Sequence, residues 1–225
     1  MKKTLFVCIA LVCAVAVSAA DVLVKNGERV AFLGDSITAL GSRGTGYVNL
    51  VVLGLKVIGI NIVKIPAGVS GYKSDQMLAK VDRLALSKKP QWLLISCGVN
   101  DVYHEIKYGN GVDQERFERI YDMMIADTKK VLPNAKFIIM GSFVLEGKET
   151  AERFSQFCEI KEYAEITRKI AQKHDCLYIS LQEQFDALAQ QYGGEYFLFD
   201  GIHPTVAGAN VIADHWLHCF ENHIL

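Results

Sequence analysis

Arg29-Val30-Ala31-Phe32-Leu33-Gly34-Asp35-Ser36-Ile37-Thr38 is the stretch that decides the fold. An unbroken apolar run stops abruptly at a Gly-Asp-Ser turn. A short continuous apolar run of this kind reads as a strand buried on both faces. Its end delivers a serine hydroxyl to the edge of a sheet, where backbone N–H groups are free. A nucleophile needs that position: exposed, rigidly held and beside ready-made donors. The same residues have a plain structural reading, because Asp and Ser are favoured helix caps. The rest of the chain has to choose between the two.

Working outward, strand and helix signals alternate. The apolar stretch 46–58 predicts a buried helix, and the β-branched 60–65 a second strand broken by Pro66 and Gly68. Helical spacing of Met77, Leu78, Val81 and Leu84 predicts a helix over 74–86. A third strand is expected over 92–97, then a polar loop over 99–111. Asp113 caps a helix carrying Phe117, Ile120, Tyr121, Met124 and Ile125. A fourth strand over 135–140, a long helix over 150–174, a fifth strand over 176–180 and a short helix over 182–191 follow. Pro204 is expected at the first position of a last helix. Strands apolar on both faces imply a parallel sheet with helices on each side. The expected fold is therefore α/β, a three-layer α/β/α sandwich on a five-stranded parallel sheet of order 2-1-3-4-5. Ligands of such sheets bind beyond the carboxyl ends of the strands.

Composition sets the frame. The chain has 225 residues, 51% of them hydrophobic and 22% charged, as expected of one globular domain. Lys2 and Lys3 precede an apolar run over 5–17 that closes on Ser18-Ala19-Ala20. That is the pattern of a secretory signal over 1–20, and the run is short for a membrane span. An uncleaved anchor is the alternative reading of that run. The expected domain is 21–225, exported from the cytoplasm into the periplasm or beyond. Without Lys2 and Lys3 among its 24 basic residues, the chain carries a formal charge of −3 against 25 acidic ones. No basic run is present, so neither nucleic acid nor an anionic membrane surface is an expected partner. Cys97, Cys158, Cys176 and Cys219 match no zinc spacing. A disulfide among them is permitted outside the cytoplasm, and the spacing does not choose a pair.

The informative residues fall at the predicted strand ends. His203 suits a general base, and the adjoining helix start is expected to disfavour its charged form. Asp200, three residues earlier, is placed to orient the imidazole. Gly68 allows close approach of a backbone N–H, and Asn100 offers a side-chain amide donor. Each has a structural alternative, as a cap, turn or bend residue. Their joint order along one rim argues for chemistry.

Four blocks give the chain a resemblance to the SGNH hydrolases, or GDSL-type esterases. They are Gly34-Asp35-Ser36-Ile37-Thr38, Gly68-Val69-Ser70-Gly71, Gly98-Val99-Asn100-Asp101 and Asp200-Gly201-Ile202-His203-Pro204. The resemblance implies the flavodoxin-like SGNH fold, with Ser36 as nucleophile, His203 as base and acid, and Asp200 as its orienter. It implies an oxyanion hole from the N–H groups of Ser36 and Gly68 and the side chain of Asn100, with Asp35 and Asp101 as supporting carboxylates. Pro66 stands where family members often carry asparagine. No metal and no cofactor are expected.

The expected activity is hydrolysis of carboxylic esters through an acyl-enzyme. The expected substrate is a small ester or an acylated carbohydrate, with acetyl the favoured acyl group. Tyr72, Lys73, Tyr103, His104, Tyr108, Phe143 and Tyr196 are the candidate sugar contacts. A lysophospholipase or thioesterase is the alternative within the same chemistry, and a non-catalytic ligand-binding domain the alternative outside it. No Gly-x-Ser-x-Gly elbow, Walker A sequence or dinucleotide fingerprint is present.

Overall fold

The computed structural model describes residues 23–220. The predicted signal segment therefore lies outside the described residues.

Five parallel strands form one sheet in the order β2-β1-β3-β4-β5. They are β1 (Arg29–Gly34), β2 (Val63–Gly68), β3 (Trp92–Ser96), β4 (Lys136–Met140) and β5 (Leu177–Ile179). All of β3, and all but the first residue of β1 and of β4, is buried. Both faces are thus covered, which is why their sequences are continuous apolar runs rather than alternating ones. Among the described residues ten helices surround the sheet: α1 (Ser36–Gly41), α2 (Tyr47–Val57), α3 (Ser74–Leu78), α4 (Val81–Leu84), α5 (Val99–Tyr108), α6 (Gln114–Val131), α7 (Phe154–Phe157), α8 (Ile160–His174), α9 (Gln182–Tyr192) and α10 (Val206–His218). The chain steps from β1 one way to β2, and from β3 the other way to β5. Right-handed crossovers then set α2 on one face and α6 and α8 on the other. Contacts agree, with α2 against α10 and α6 against α3 and α8. Trp216 of α10 stacks on Phe32 of β1 at 5.5 Å between ring centroids, and both are fully buried.

Several expected elements differ. The second strand runs from Val63 through Pro66 to Gly68 instead of stopping before the proline. In β2 the N–H groups of Val63 and Val69 point at β1, so in a parallel ladder those of the even-numbered residues point outward. The donor that Pro66 lacks would have faced the open edge, and no ladder bond is lost. The helix expected over 74–86 is two pieces, α3 and α4, because Lys80 leaves helical geometry at φ −129°. The loop expected over 99–111 is mostly helix α5, opened by Gly98 at φ 136° and closed by Gly109 at φ 66°. The long helix over 150–174 is a 3-10 turn, α7 and α8. Bonds from Lys161 to Cys158 and from Glu162 to Glu159 tighten the joint and bury Phe157 and Ile160. The last helix begins at Val206. Thr205 takes the cap, accepting from the Gly208 N–H, while Pro204 bridges to Leu198. Asp113 caps α6 as expected, accepting from the Arg116 N–H.

Candidate active site

The chemistry assembles at the carboxyl ends of the strands. Asp35 follows β1 and caps α1, its buried carboxylate accepting the Ile37 N–H at 2.8 Å. Ser36 therefore opens the helix, where its own N–H has no intrahelical acceptor. On the far side of the sequence, the loop before α10 brings in Asp200 and His203. One Asp200 oxygen accepts the backbone N–H groups of Ile202 and His203, at 2.9 and 2.7 Å. The other lies 2.6 Å from His203 Nδ1. Gly201, at φ 95°, makes the turn possible. His203 Nε2 faces Ser36 Oγ at 2.8 Å. A hydroxyl and an imidazole 167 residues apart thus meet within hydrogen-bond distance, with a carboxylate behind the ring.

The electrostatics follow from this geometry. The hydrogen bond to Asp200 raises the His203 pKa above its ordinary 6.5, against the opposing effect of burial. The expected lowering by the helix start is overruled, because a carboxylate in contact outweighs a partial charge at a helix end. Burial pushes Asp200 up, but its hydrogen bonds from His203 and Ile202 bring it below 3.8. Asp35 is pushed up to about 7 by burial. Asp101 is pushed up to about 6, again by burial, and accepts from the Ser74 N–H and hydroxyl.

The donors are arranged as follows. Asn100 lies in the first turn of α5, and its amide donates to the Tyr72 carbonyl at 3.1 Å. The amide has a second N–H. Asn100 and Ser36 line one cleft of about 440 Å³ with Gly71, Tyr103, Glu149 and His203. Gly68 does not line that cleft. It ends β2 beside Gly34, and an added Cβ would run into the Ala39 backbone of α1. Gly68 is a packing glycine, and the glycine at the lip is Gly71. Gly71 has φ 76° in a turn closed by the Tyr72 N–H on the Val69 carbonyl. Among the described residues the Gly71 N–H has no acceptor. The geometry thus puts Gly71 at the lip where the sequence pointed to Gly68, and adds Glu149, which the sequence did not single out. Both signals were local: a Ser-Gly pair after a strand, and an acidic residue beyond Gly147.

The model of the GDSL-like lipase/acylhydrolase family matches residues 32–211. The chain belongs to this family. An acetylxylan esterase from Geobacillus stearothermophilus is 26% identical over 209 residues, covering 84% of this chain and 92% of its own. A solved structure of a single-substitution variant of Axe2, an acetyl xylan esterase from the same organism, superposes with a TM-score of 0.79 at 25% identity, covering 90% and 98%. A protein described as a GDSL-like lipase, from Parabacteroides merdae, gives 0.79 at 26%, covering 89% and 98%. These likenesses make the chain a carboxylic ester hydrolase of the GDSL-like type.

The rest of the GDSL-like cleft is aromatic and polar. Of the candidate sugar contacts, Tyr103, His104 and Tyr108 line it from α5. Phe143 is buried in the core, and Tyr196 is exposed away from the cleft. Tyr72 contributes its carbonyl to Asn100, and Lys73 Nζ donates to the Asn110 carbonyl. A second cleft of about 420 Å³ adjoins the site through Ile37 and Phe199 and is lined mainly by apolar groups, Leu40 and Val206 among them. The Phe199 ring stacks on His203, 5.8 Å between centroids. Cys97, Cys158, Cys176 and Cys219 are all free thiols.

Proposed function

We propose that the protein is a serine esterase that removes short acyl groups, acetyl foremost, from carbohydrate. The observation that carries the reading is the line Ser36 Oγ, His203 Nε2, His203 Nδ1, Asp200 carboxylate, with steps of 2.8 and 2.6 Å. Ser36 Oγ attacks the ester carbonyl while its proton passes to Nε2. The Asp200 carboxylate keeps the Nδ1 proton in place and stabilises the imidazolium that forms. The N–H groups of Ser36 and Gly71 and the free N–H of Asn100 are the donors for the oxyanion. His203 then protonates the leaving alkoxide, the alcohol departs, and an acyl-Ser36 ester remains. Water gives a proton to His203, attacks the acyl carbon and releases the carboxylic acid, and Ser36 regains its proton.

The carbohydrate part rests on the acetylxylan esterase relatives and on the open, aromatic and polar character of the cleft. The apolar cleft beside Phe199 supports a second reading, a longer acyl chain. The segment over 1–20 supports export. The test is acetate release from acetylated xylooligosaccharides, set against p-nitrophenyl esters of rising chain length. Acetyl esters should be the best substrates. Activity that climbs steadily to long chains would transfer the case to the apolar cleft. Ser36→Ala and His203→Ala should each cost on the order of 10⁴-fold in rate, and the double variant little more. Turnover surviving Ser36→Ala would remove the mechanism.

A further inference from the structure

The segment from Leu145 to Thr150 is bolted to the loop that carries Asp200 and His203. The Glu149 N–H donates to the Asp200 carbonyl, and the Leu145 N–H to that of Gly201, each at 2.9 Å. Buried Thr150 closes the segment on itself, donating to the Leu145 carbonyl at 2.7 Å and accepting the Gly147 N–H at 2.9 Å. Gly147 packs on the Gly201 backbone, and Gly201 on the Thr150 hydroxyl and the Leu145 carbonyl, so neither tolerates a side chain. The backbone of this segment therefore keeps a fixed place relative to the reacting groups.

Glu149 is the residue that the segment sends into the cleft shared with Ser36 and His203. One of its oxygens accepts from the Tyr103 hydroxyl at 3.3 Å. A carboxylate has about four lone-pair positions, so acceptor capacity remains. Among the described residues Glu149 forms no ion pair, so its charge is not spent on holding the fold. It is close enough for its charge to act on His203. Tyr103, His104 and Tyr108 form an aromatic wall along the same cleft, with ring centroids 5.3–6.3 Å apart. The rings stand at 60–86° to one another, so the wall is a set of separate faces and edges. One such face beside an acceptor suits a ring bearing hydroxyls: the apolar face of the sugar packs on it and a hydroxyl donates. The same negative charge is unfavourable to an alcohol part that is itself anionic.

We propose that Glu149 is a specificity-determining residue of this esterase: its carboxylate accepts a hydroxyl hydrogen from a neutral polyol next to the scissile ester, and its charge turns away esters with an anionic alcohol part. The first half rests on the carbohydrate reading above. The second half does not.

The experiment compares full-length wild type with Glu149→Gln on three acetyl esters. They are an acetylated xylooligosaccharide, phenyl acetate and 4-acetoxybenzoate, the last two differing by one carboxylate. With Glu149→Gln, kcat/KM on the oligosaccharide should fall about tenfold relative to phenyl acetate, mainly through KM. The preference for phenyl acetate over 4-acetoxybenzoate should shrink by a similar factor. Tyr103→Phe, which frees the carboxylate without removing it, should lower oligosaccharide turnover by less and leave the charge discrimination in place. If either Glu149→Gln ratio stays within about twofold of wild type, the assignment is overturned. A wild type that cleaves phenyl acetate but no acetylated sugar overturns the carbohydrate reading itself, and with it the first half of the assignment. One that cleaves both, with unchanged ratios in the variant, overturns the role of Glu149 alone.

Discussion

Asp200 grips His203 at two points, the backbone N–H at 2.7 Å and ring Nδ1 at 2.6 Å, with a different carboxylate oxygen for each. The first contact shapes the loop, and the second sets the tautomer. Asp200→Asn separates them. An amide oxygen still accepts the backbone N–H, but the amide nitrogen then faces Nδ1 and favours the tautomer with the proton on Nε2. That form has no lone pair for the Ser36 proton. We expect a loss of about 10³–10⁴ in kcat with a modest change in thermal unfolding. Steady-state kinetics beside a melting curve checks it, and a variant with near-normal kcat would contradict the role of the carboxylate.

The same contact fixes a pH dependence. Only neutral His203 accepts the serine proton, so kcat/KM falls as pH drops through the His203 pKa. Asp200 raises that pKa, which sets the acid limb above 6.5. Asp200, held below 3.8, stays ionised throughout. In Asp200→Asn the residual activity should keep an acid limb at lower pH than wild type. A pH–rate profile on phenyl acetate measures both, and a wild-type midpoint below 6.5 would argue against the ion pair.

Gly68 and Gly71 should fail in different ways. An alanine at Gly68 drives its Cβ into the Ala39 backbone, which cannot swing aside, so α1 must move or the protein loses stability. Overpacking of this kind costs roughly 1–3 kcal/mol, which a melting curve detects. An alanine at Gly71 meets nothing within 4 Å, but φ 76° strains it. Relief of that strain turns the Gly71 N–H away from the cleft. We expect kcat to fall about 10²-fold with little change in melting. Equal effects on both properties at both glycines would remove the distinction.

Asp35 and Asp101 predict how stability changes with pH. Burial raises both, to about 7 and about 6, from an ordinary 3.8. Between 3.8 and those values the folded chain holds protons that the unfolded chain has released. Stability from these groups is full below 3.8 and declines as pH rises through the window, by up to about 1.4 kcal/mol per pH unit for one proton. Asp35→Asn keeps the capping oxygen and cannot ionise. Its urea midpoint should vary less than that of wild type between about pH 4 and pH 7. Parallel curves would show that Asp35 titrates alike in both states.

What the sequence made legible was the interior. Val30–Leu33, Trp92–Ile95 and Phe137–Met140 are buried on both faces, so their composition leaves strand as the natural reading. Ser36, Asn100, Asp200 and His203 were legible because each follows such a run or precedes a helix. Edge and surface elements were not. In β2 exposed and buried residues mix, and its boundary depends on which way Pro66 faces, a property of the ladder rather than of the residue. In α5 the aliphatic positions are only Val99, Val102 and Ile106, and flanking glycines gave it the look of a loop. The choice between Gly68 and Gly71 turns on backbone direction after a strand, which residue type does not encode.

Pro66 has a last consequence. β2 is an outer strand of the sheet, and such strands offer a ladder of vacant donors and acceptors on which another polypeptide can zip. The proline removes a rung from the middle of that ladder, on the side where a newcomer would attach. Pro66 thus guards against intermolecular sheet growth while the internal register with β1 stays intact.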